Sequence, residues 1–470
     1  MPTLHDHPEY LTRAMNYKYY RDHFDGGRDY PCKDAAYLPQ WTMESDEAYQ
    51  KRLARAVYIN YCSTVISIYQ AALFQKAPAR EISVGSLLPL VVDIDRMGTT
   101  ANDFFRGVTE QAQAVGLHFV LVDAPPRVAG KTYTVDDARA AGLSPYVVSV
   151  PAENVRAWGI ESQDPARMGA LNFVAIQETG WGGNSPFEEM VSAQSVRVYY
   201  PDRCELYSSG TGGLSLVSTT PNPLGVVPLV PFYGRRVATF EGESDLREIA
   251  PLAQKIANWL SWLDEDMMFH ALRQLVVKTN SDIAKLGIGS SRAIKLSPDQ
   301  KEDIFVLESA GNPSKELWDS IMRAQDLIYR LALNQITAVK DTAQVESADK
   351  KRLDSKELSS MLKAKAGAFE RAESQVWGLL AAMSGADPSG VVIEYNREFV
   401  LTEQTVADWQ AKIESGVLSV LDWILEENPG VTTTAEAEKV LDSNLKLRTK
   451  VRDLSGLGDV LTASGGAPNG

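Results

Sequence analysis

The sharpest chemical signal in this 470-residue chain is a small group of cations. Lys340 and the run Lys350-Lys351-Arg352 fall within or beside a polar stretch, Val339 to Asp354, that has no apolar period. The chain around them is acidic, with a formal net charge of -14. Cations on such a stretch can touch phosphates through weak, salt-screened contacts. They are too few for tight binding, so the chemistry that fits is transient contact with a nucleic-acid backbone. The plainer alternative is a solvated loop.

Other candidates are weaker. Gly287-x-Gly289-x-x-Arg292 lacks the third glycine and the following helix of a dinucleotide loop, and reads better as a strand turn. Asp93 and Asp95 alternate like a metal pair, but no histidine or third carboxylate stands near them, so surface acids fit better. Asp264-Glu265-Asp266 reads as a solvated helix face, with a channel lining as the alternative. His270 and Met267-Met268 fit a packed core better than a switch or a partner groove. Trp259 and Trp262 fit subunit packing better than ligand binding. No Gly-x-Ser-x-Gly elbow and no His-Glu-x-x-His motif occurs. No catalytic set, metal site or cofactor is therefore expected.

Bulk properties narrow the class. The length suits two or three domains. Hydrophobic content of 44% is ordinary for a globular protein, and no apolar run is long enough to span a membrane. Residues Met1 to Tyr10 do not read as a secretory signal. Cys32, Cys62 and Cys204 are odd in number and far apart, so neither a disulfide framework nor a zinc site is expected, and a reducing compartment is. A net acidic chain disfavours simple DNA binding. An acidic wall past which DNA slides is compatible with it, because each cation–phosphate pair adds drag.

The elements follow from periodicity. Residues 1–40 are tyrosine-rich and predict an irregular arm that packs by aromatic burial, a neighbouring subunit being one place for it. Ser45-Asp46-Glu47 opens a helix whose stripe, Leu53 to Ala72, continues until Pro78. Ala101 to Val115 is a helix closed at Gly116, and Leu117 to Asp123 is a strand. Further strands are expected at Tyr146 to Val150, Leu171 to Gln177, Ser195 to Tyr200 and Val226 to Phe232, with a hairpin tip at Gly210, Gly212 and Gly213. The second half turns helical. One helix is expected from Pro251 to Lys278, ~28 residues and ~42 Å at 1.5 Å per residue. A second runs from Ser314 to Ala338, and a third from Ser355 to Met383, started by Asp354 with Glu357 and stopped by Gly385. Short helices follow at Glu403 to Ser415, Val417 to Glu427 and Ala435 to Val451, and the tail from Ser464 reads as disordered.

Several stretches carry a family resemblance. They are Tyr37-Leu38-Pro39, Phe74-Gln75-Lys76-Ala77-Pro78, Asp95-Arg96-Met97-Gly98 with Phe104-Phe105, and Gly116 to Pro125. Ala152-Glu153-Asn154-Val155-Arg156-Ala157-Trp158, Val227-Pro228-Leu229-Val230-Pro231-Phe232-Tyr233 and Glu394-Tyr395-Asn396-Arg397-Glu398-Phe399 complete the set. In this order, and with the helix layout above, the chain resembles phage portal proteins, the head–tail connectors, and in particular a portal-like family known mainly from prophage genes.

The resemblance implies an α+β, portal-like fold. Residues 1–244 would form the arm and mixed α/β wing, 245–278 a stem helix, 279–313 a clip and 314–338 the second stem helix. Residues 339–354 would be a tunnel loop, 355–400 a wing helix and strand, and 401–470 crown-like helices and tail. It also implies a homo-oligomeric ring, usually of about twelve subunits, at one capsid vertex of the virion, assembled in the host cytoplasm. Double-stranded DNA would pass through the ring during packaging and ejection. Terminase, a head–tail adaptor, and capsid and scaffold proteins would be the partners. Lys340, Lys350, Lys351 and Arg352 would be the DNA-facing group. A head–tail adaptor and a phage-encoded enzyme on an α/β scaffold are the other readings the sequence leaves open.

Overall fold

The computed structural model describes residues 3–125, 143–182, 191–210, 213–271, 274–278, 303–307, 312–332 and 348–398, with residue 434 and residues 438–443. The chain divides into two units, Met1–Phe399 and Val400–Gly470. Nearly all described residues belong to the first, which is an α+β fold.

The N-terminal segment is helical, not irregular. Helix α1 (Pro8–Asp25) starts with His7 as its cap and a proline in its first turn. It is followed by α2 (Tyr30–Lys33), α3 (Asp46–Arg55) and α4 (Tyr61–Leu73). The tyrosines of this segment do pack by aromatic burial, but on their own chain. Tyr30 stacks on Tyr58 at 3.7 Å and on Tyr37 at 5.1 Å, and its hydroxyl meets His23 Nε2 at 2.8 Å. The single helix expected from Ser45 to Pro78 is two. Val57, Tyr58 and Ile59 favour extended backbone. Asn60 then restarts the helix by accepting from Ser63 N at 2.8 Å while donating to Phe24 O at 2.7 Å.

Strand β1 (Ala79–Ile82) and the short helix α5 (Leu88–Val92) lead to α6 (Ala101–Val115) and β2 (Leu117–Asp123), with the last two bounds as expected. Gly116 sits between them at φ 100°, where a Cβ would lie 2.7 Å from Ser244 N. Strands β3 (Tyr146–Pro151), β4 (Val155–Ile160), β5 (Leu171–Gly182), β6 (Val191–Tyr199), β7 (Arg203–Gly210), β8 (Gly213–Pro221) and β9 (Leu229–Tyr233) follow. They form two antiparallel sheets, one ordered β3-β2-β9 and one a β4-β5-β6-β7-β8 meander. The expected hairpin tip is where Gly210 pairs with Gly213. β10 (Arg235–Ala238) and β11 (Glu241–Glu243) make a small hairpin.

Helix α7 (Ile249–Ala271) is shorter than expected, because Gln274–Lys278 is strand β12. Leu275, Val276 and Val277 favour the ladder they form with Val306, Phe305 and Ile304, respectively, of β13 (Asp303–Leu307). Helix α8 (Asn312–Ala332) begins two residues before the expected Ser314. The remainder of the expected second helix, residues 333–338, lies outside the described residues. Helix α9 (Ala348–Met383) starts well before Asp354, and Gly385 follows it in the left-handed region at φ 72°. β14 (Val391–Glu394) pairs with β1. Of the expected C-terminal helices, only a helical segment at 438–443 lies within the described residues.

The core lies between layers. α6 and α9 both pack on the β3-β2-β9 sheet. Phe105, Val108 and Ala112 of α6, Phe119 and Leu121 of β2, and Phe369, Val376 and Trp377 of α9 are buried.

Candidate assembly surface and DNA-facing group

Helices α7 and α8 lie side by side and run antiparallel. The side chain of Ser314, at the start of α8, pairs with Asp266, near the end of α7. The β12–β13 ladder joins them at that end. At 23 and 21 residues they are about 35 and 32 Å long.

The N-terminal helices hold the base of this two-helix finger. Gln254 donates to Ala36 O at 2.8 Å, and Asn258 to Tyr37 O at 2.9 Å. Arg52 is 2% exposed and is held by Glu44 through two bonds of 2.8 Å, by Pro39 O at 2.8 Å, and by a longer contact with Ser261 at 3.4 Å. Tyr69 OH donates to Ala332 O at 2.5 Å, satisfying a carbonyl at the end of α8. Lys365 of α9 donates to both carboxylate oxygens of Asp245 at 2.7 Å and to Gly234 O at 3.1 Å, just before the root of α7. Burial pushes Asp245 up and the Lys365 ammonium opposes it.

The finger's surface is uneven. On α8, Ile321, Ala324, Ile328 and Ala332 are buried. Trp318 and Met322 stand exposed on one flank of that stripe, Leu327 and Leu331 on the other. The charges Lys315, Glu316, Asp319, Arg323, Asp326 and Arg330 occupy the outer arc between the flanks. Trp318 and Leu327 are about 180° apart at roughly 100° per residue. On α7, Trp262 is 41% and Met267 60% exposed, so Met267 is surface, not the core residue expected. Asp264 and Glu265 both approach Arg55, so these acids are partnered within the chain.

The predicted DNA-facing group is only partly brought together. Lys350, Lys351 and Arg352 have helical backbone in the first turns of α9, which corrects the expected loop boundary at Asp354. Nothing in Ala348-Asp349-Lys350-Lys351-Arg352-Leu353 breaks a helix, and Asp349 sits favourably at its start. Their side chains, and Lys340 entirely, lie outside the described residues. So do residues 339–347 of the expected tunnel loop, Gly287-x-Gly289-x-x-Arg292, the His270 side chain and most of residues 279–313, the expected clip. Of that expected clip the described parts are strand β13 and the first two residues of α8.

Asp93 and Asp95 serve the backbone. Asp93 accepts from Gly98 N at 3.0 Å, and Asp95 from Met97 N at 2.8 Å and Thr99 N at 3.3 Å. No group of three or more His, Cys, Asp or Glu side chains is placed to hold a metal ion among the described residues. No described helix is long and apolar enough to cross a membrane. Cys62 is fully buried and its thiol is pushed up to about 12 by burial. It is a packing residue, not a nucleophile.

No protein-family model matches the chain. No curated protein matches it either. Among solved structures, it is similar to a chain of the virion of a native gene transfer agent particle, at 10% identity and a TM-score of 0.41, over 85% of this chain and 89% of that one. It is also similar to a chain from the neck of the native particle computed with C12 symmetry, at 11% identity and 0.39, over 76% and 85%. A chain from the neck of the empty particle, computed with C6 symmetry, gives 11% and 0.42 over 81% and 92%. Likeness at these scores decides neither fold nor role.

Proposed function

We propose that the chain is a portal-type virion protein, a structural subunit that assembles into a ring and surrounds DNA at one capsid vertex, and that it has no catalytic activity. One observation carries the reading. The outer helix of the finger, α8, bears exposed apolar side chains on both flanks of its buried stripe. An apolar stripe facing one core spans ~100° or somewhat more. The α8 arc is far wider. Two distinct flanks suit a different neighbour on each side, which is the geometry of head-to-tail contacts that close into a ring.

In this reading α7 and α8 are the stem, and the ladder at their far end belongs to the clip that meets terminase and then the adaptor. The segment between α8 and α9, with Lys340, and the first turns of α9, with Lys350-Lys351-Arg352, face DNA. The few cations suit weak, transient contact in an otherwise acidic chain. Introducing negative charge on one flank, Trp318→Glu with Met322→Glu, tests the reading. Both side chains are exposed, so the fold should survive while assembly fails in light scattering. Unchanged assembly would remove the support that α8 gives.

A further inference from the structure

Helix α6 has a feature at each end that a single chain does not use. At its N-terminal end is a small apolar knob. Leu88 and Val92, one turn apart on α5, are 53% and 70% exposed, and Met97 in the following turn is 87% exposed. The knob is rigidly mounted. Leu87 and Ile94 are fully buried, Ile94 N donates to Thr99 O at 3.0 Å, and Val147 N donates to Ile94 O at 3.1 Å. Asp93 and Asp95 flank the apolar side chains, and their hydrogen bonds come from backbone N–H groups of the turn. Burial raises Asp95, but bonds from Thr99 and Met97 outweigh it and hold the carboxyl below its usual range, so it carries charge.

At the C-terminal end of α6 is a cleft of about 1000 Å³ bounded by β9, β10, the approach to α7, and α9. Gly234 and Ser244 on its wall bond Gly116 O at 2.9 Å and Ala114 O at 2.6 Å, which ties the cleft to the last turn of α6. Leu229, Pro231, Tyr233 and Met361 give it apolar lining. Its charges do not cancel. Arg235 and Arg247 share Glu243, and Lys365 is taken by Asp245. Arg236 only stacks near Tyr233 at 5.5 Å, and neither it nor Arg371 has a carboxylate partner among the described residues. Both are exposed.

We propose that the knob of one copy of this chain seats in the cleft of a second copy, head to tail. Leu88, Val92 and Met97 meet the apolar lining, and the acids beside them meet the Arg236 and Arg371 guanidiniums. An unpaired guanidinium recognises a carboxylate in a fixed planar fork. The apolar lining selects a polypeptide over a nucleic-acid backbone, which has no apolar group to place there. α6 has 15 residues, so it holds the two surfaces about 22 Å apart on one rigid rod. Each copy therefore offers its unused knob to one neighbour and its unused cleft to another, and such contacts give a ring where the rotation between copies closes. The inference rests on the ring reading above and names a contact that would build it.

The test uses two full-length variants, Val92→Glu with Met97→Glu in the knob and Arg236→Glu with Arg371→Glu in the cleft. All four side chains are exposed, and a melting curve like the parent's confirms the fold. Where a variant melts early, Val92→Ser with Met97→Ser or Arg236→Gln with Arg371→Gln replaces it. Size-exclusion light scattering at micromolar concentration reads assembly. Each variant alone should be monomeric where the parent is a closed oligomer. An equimolar mixture should form a one-to-one heterodimer, because each chain keeps one intact surface. Either variant assembling like the parent would overturn the contact and leave the ring standing, and a mixture that stays monomeric would also overturn it. A monomeric parent would overturn both. Loss of DNA binding by the cleft variant with unchanged assembly would assign the cleft to nucleic acid instead.

Discussion

Arg80 and Glu373 form a buried ion pair across 293 residues of sequence, with Nε donating to Oε1 at 2.6 Å and Nη2 to Oε2 at 3.3 Å. Glu373 is 0% exposed and also accepts from Trp377 Nε1 at 3.1 Å and Tyr395 OH at 2.6 Å. One carboxylate thus ties β1, α9 and the residue after β14. Glu373→Ala would strand the Arg80 charge in the core. It should cost about 3–5 kcal/mol in urea unfolding. Replacing both partners, Arg80→Met with Glu373→Met, should cost less than the single change. A single change within 1 kcal/mol of the parent would mean that water reaches the pair.

Acid should destabilise the fold through His118. It is 2% exposed on β2, its Nε2 meets Ser149 Oγ at 2.7 Å, and its Nδ1 has no hydrogen-bond partner. Burial, with Arg21 adding to it, lowers its pKa from 6.5 to about 3. The folded value lies below the unfolded one. The stability it contributes is therefore complete above pH 6.5 and is lost as pH falls toward 3. Between pH 7 and 5 the loss should be about 2 kcal/mol, at ~1.4 kcal/mol per pH unit below 6.5. His118→Asn should flatten this dependence in urea melts at the two pH values. An unchanged slope would place the acid sensitivity elsewhere, His23 being the other buried histidine among the described residues whose pKa is lowered by burial.

Gly116→Ala should be strongly destabilising, because the added methyl meets backbone at 2.7–2.9 Å and the residue sits at φ 100°. The cost should exceed the ~1 kcal/mol of an ordinary glycine change. A thermal shift within a degree of the parent would contradict this.

Much of the first half was legible. Ala101 to Val115 had a closing glycine, and its bounds match. Leu117 to Asp123 was a continuous apolar run, as a central strand requires. The failures share a cause. Tyr30 and Tyr37 looked irregular because their burial is tertiary, against His23, Tyr58 and Ala257 of α7, and leaves no local period. Val276 and Val277 continued an apolar pattern whose strand partner was distant in sequence. The Arg236–Arg371 pairing in one cleft could not be read, since the two residues are brought together only by the fold. The knob was visible only as the isolated apolar residues Leu88, Val92 and Met97 near the acids Asp93 and Asp95.

Lys350→Glu with Lys351→Glu should leave folding and assembly intact. Both sit in the first turns of α9, where negative charge is favoured by the helix dipole. In a packaging assay the double variant should nonetheless impair passage or retention of DNA. Packaging and retention equal to the parent would make the group a solvated helix start.

Native mass spectrometry of the full chain tests the ring most directly. One large closed oligomer near twelve subunits is expected at micromolar concentration, with no ladder of open intermediates. A monomer that persists across protein and salt concentrations would contradict it.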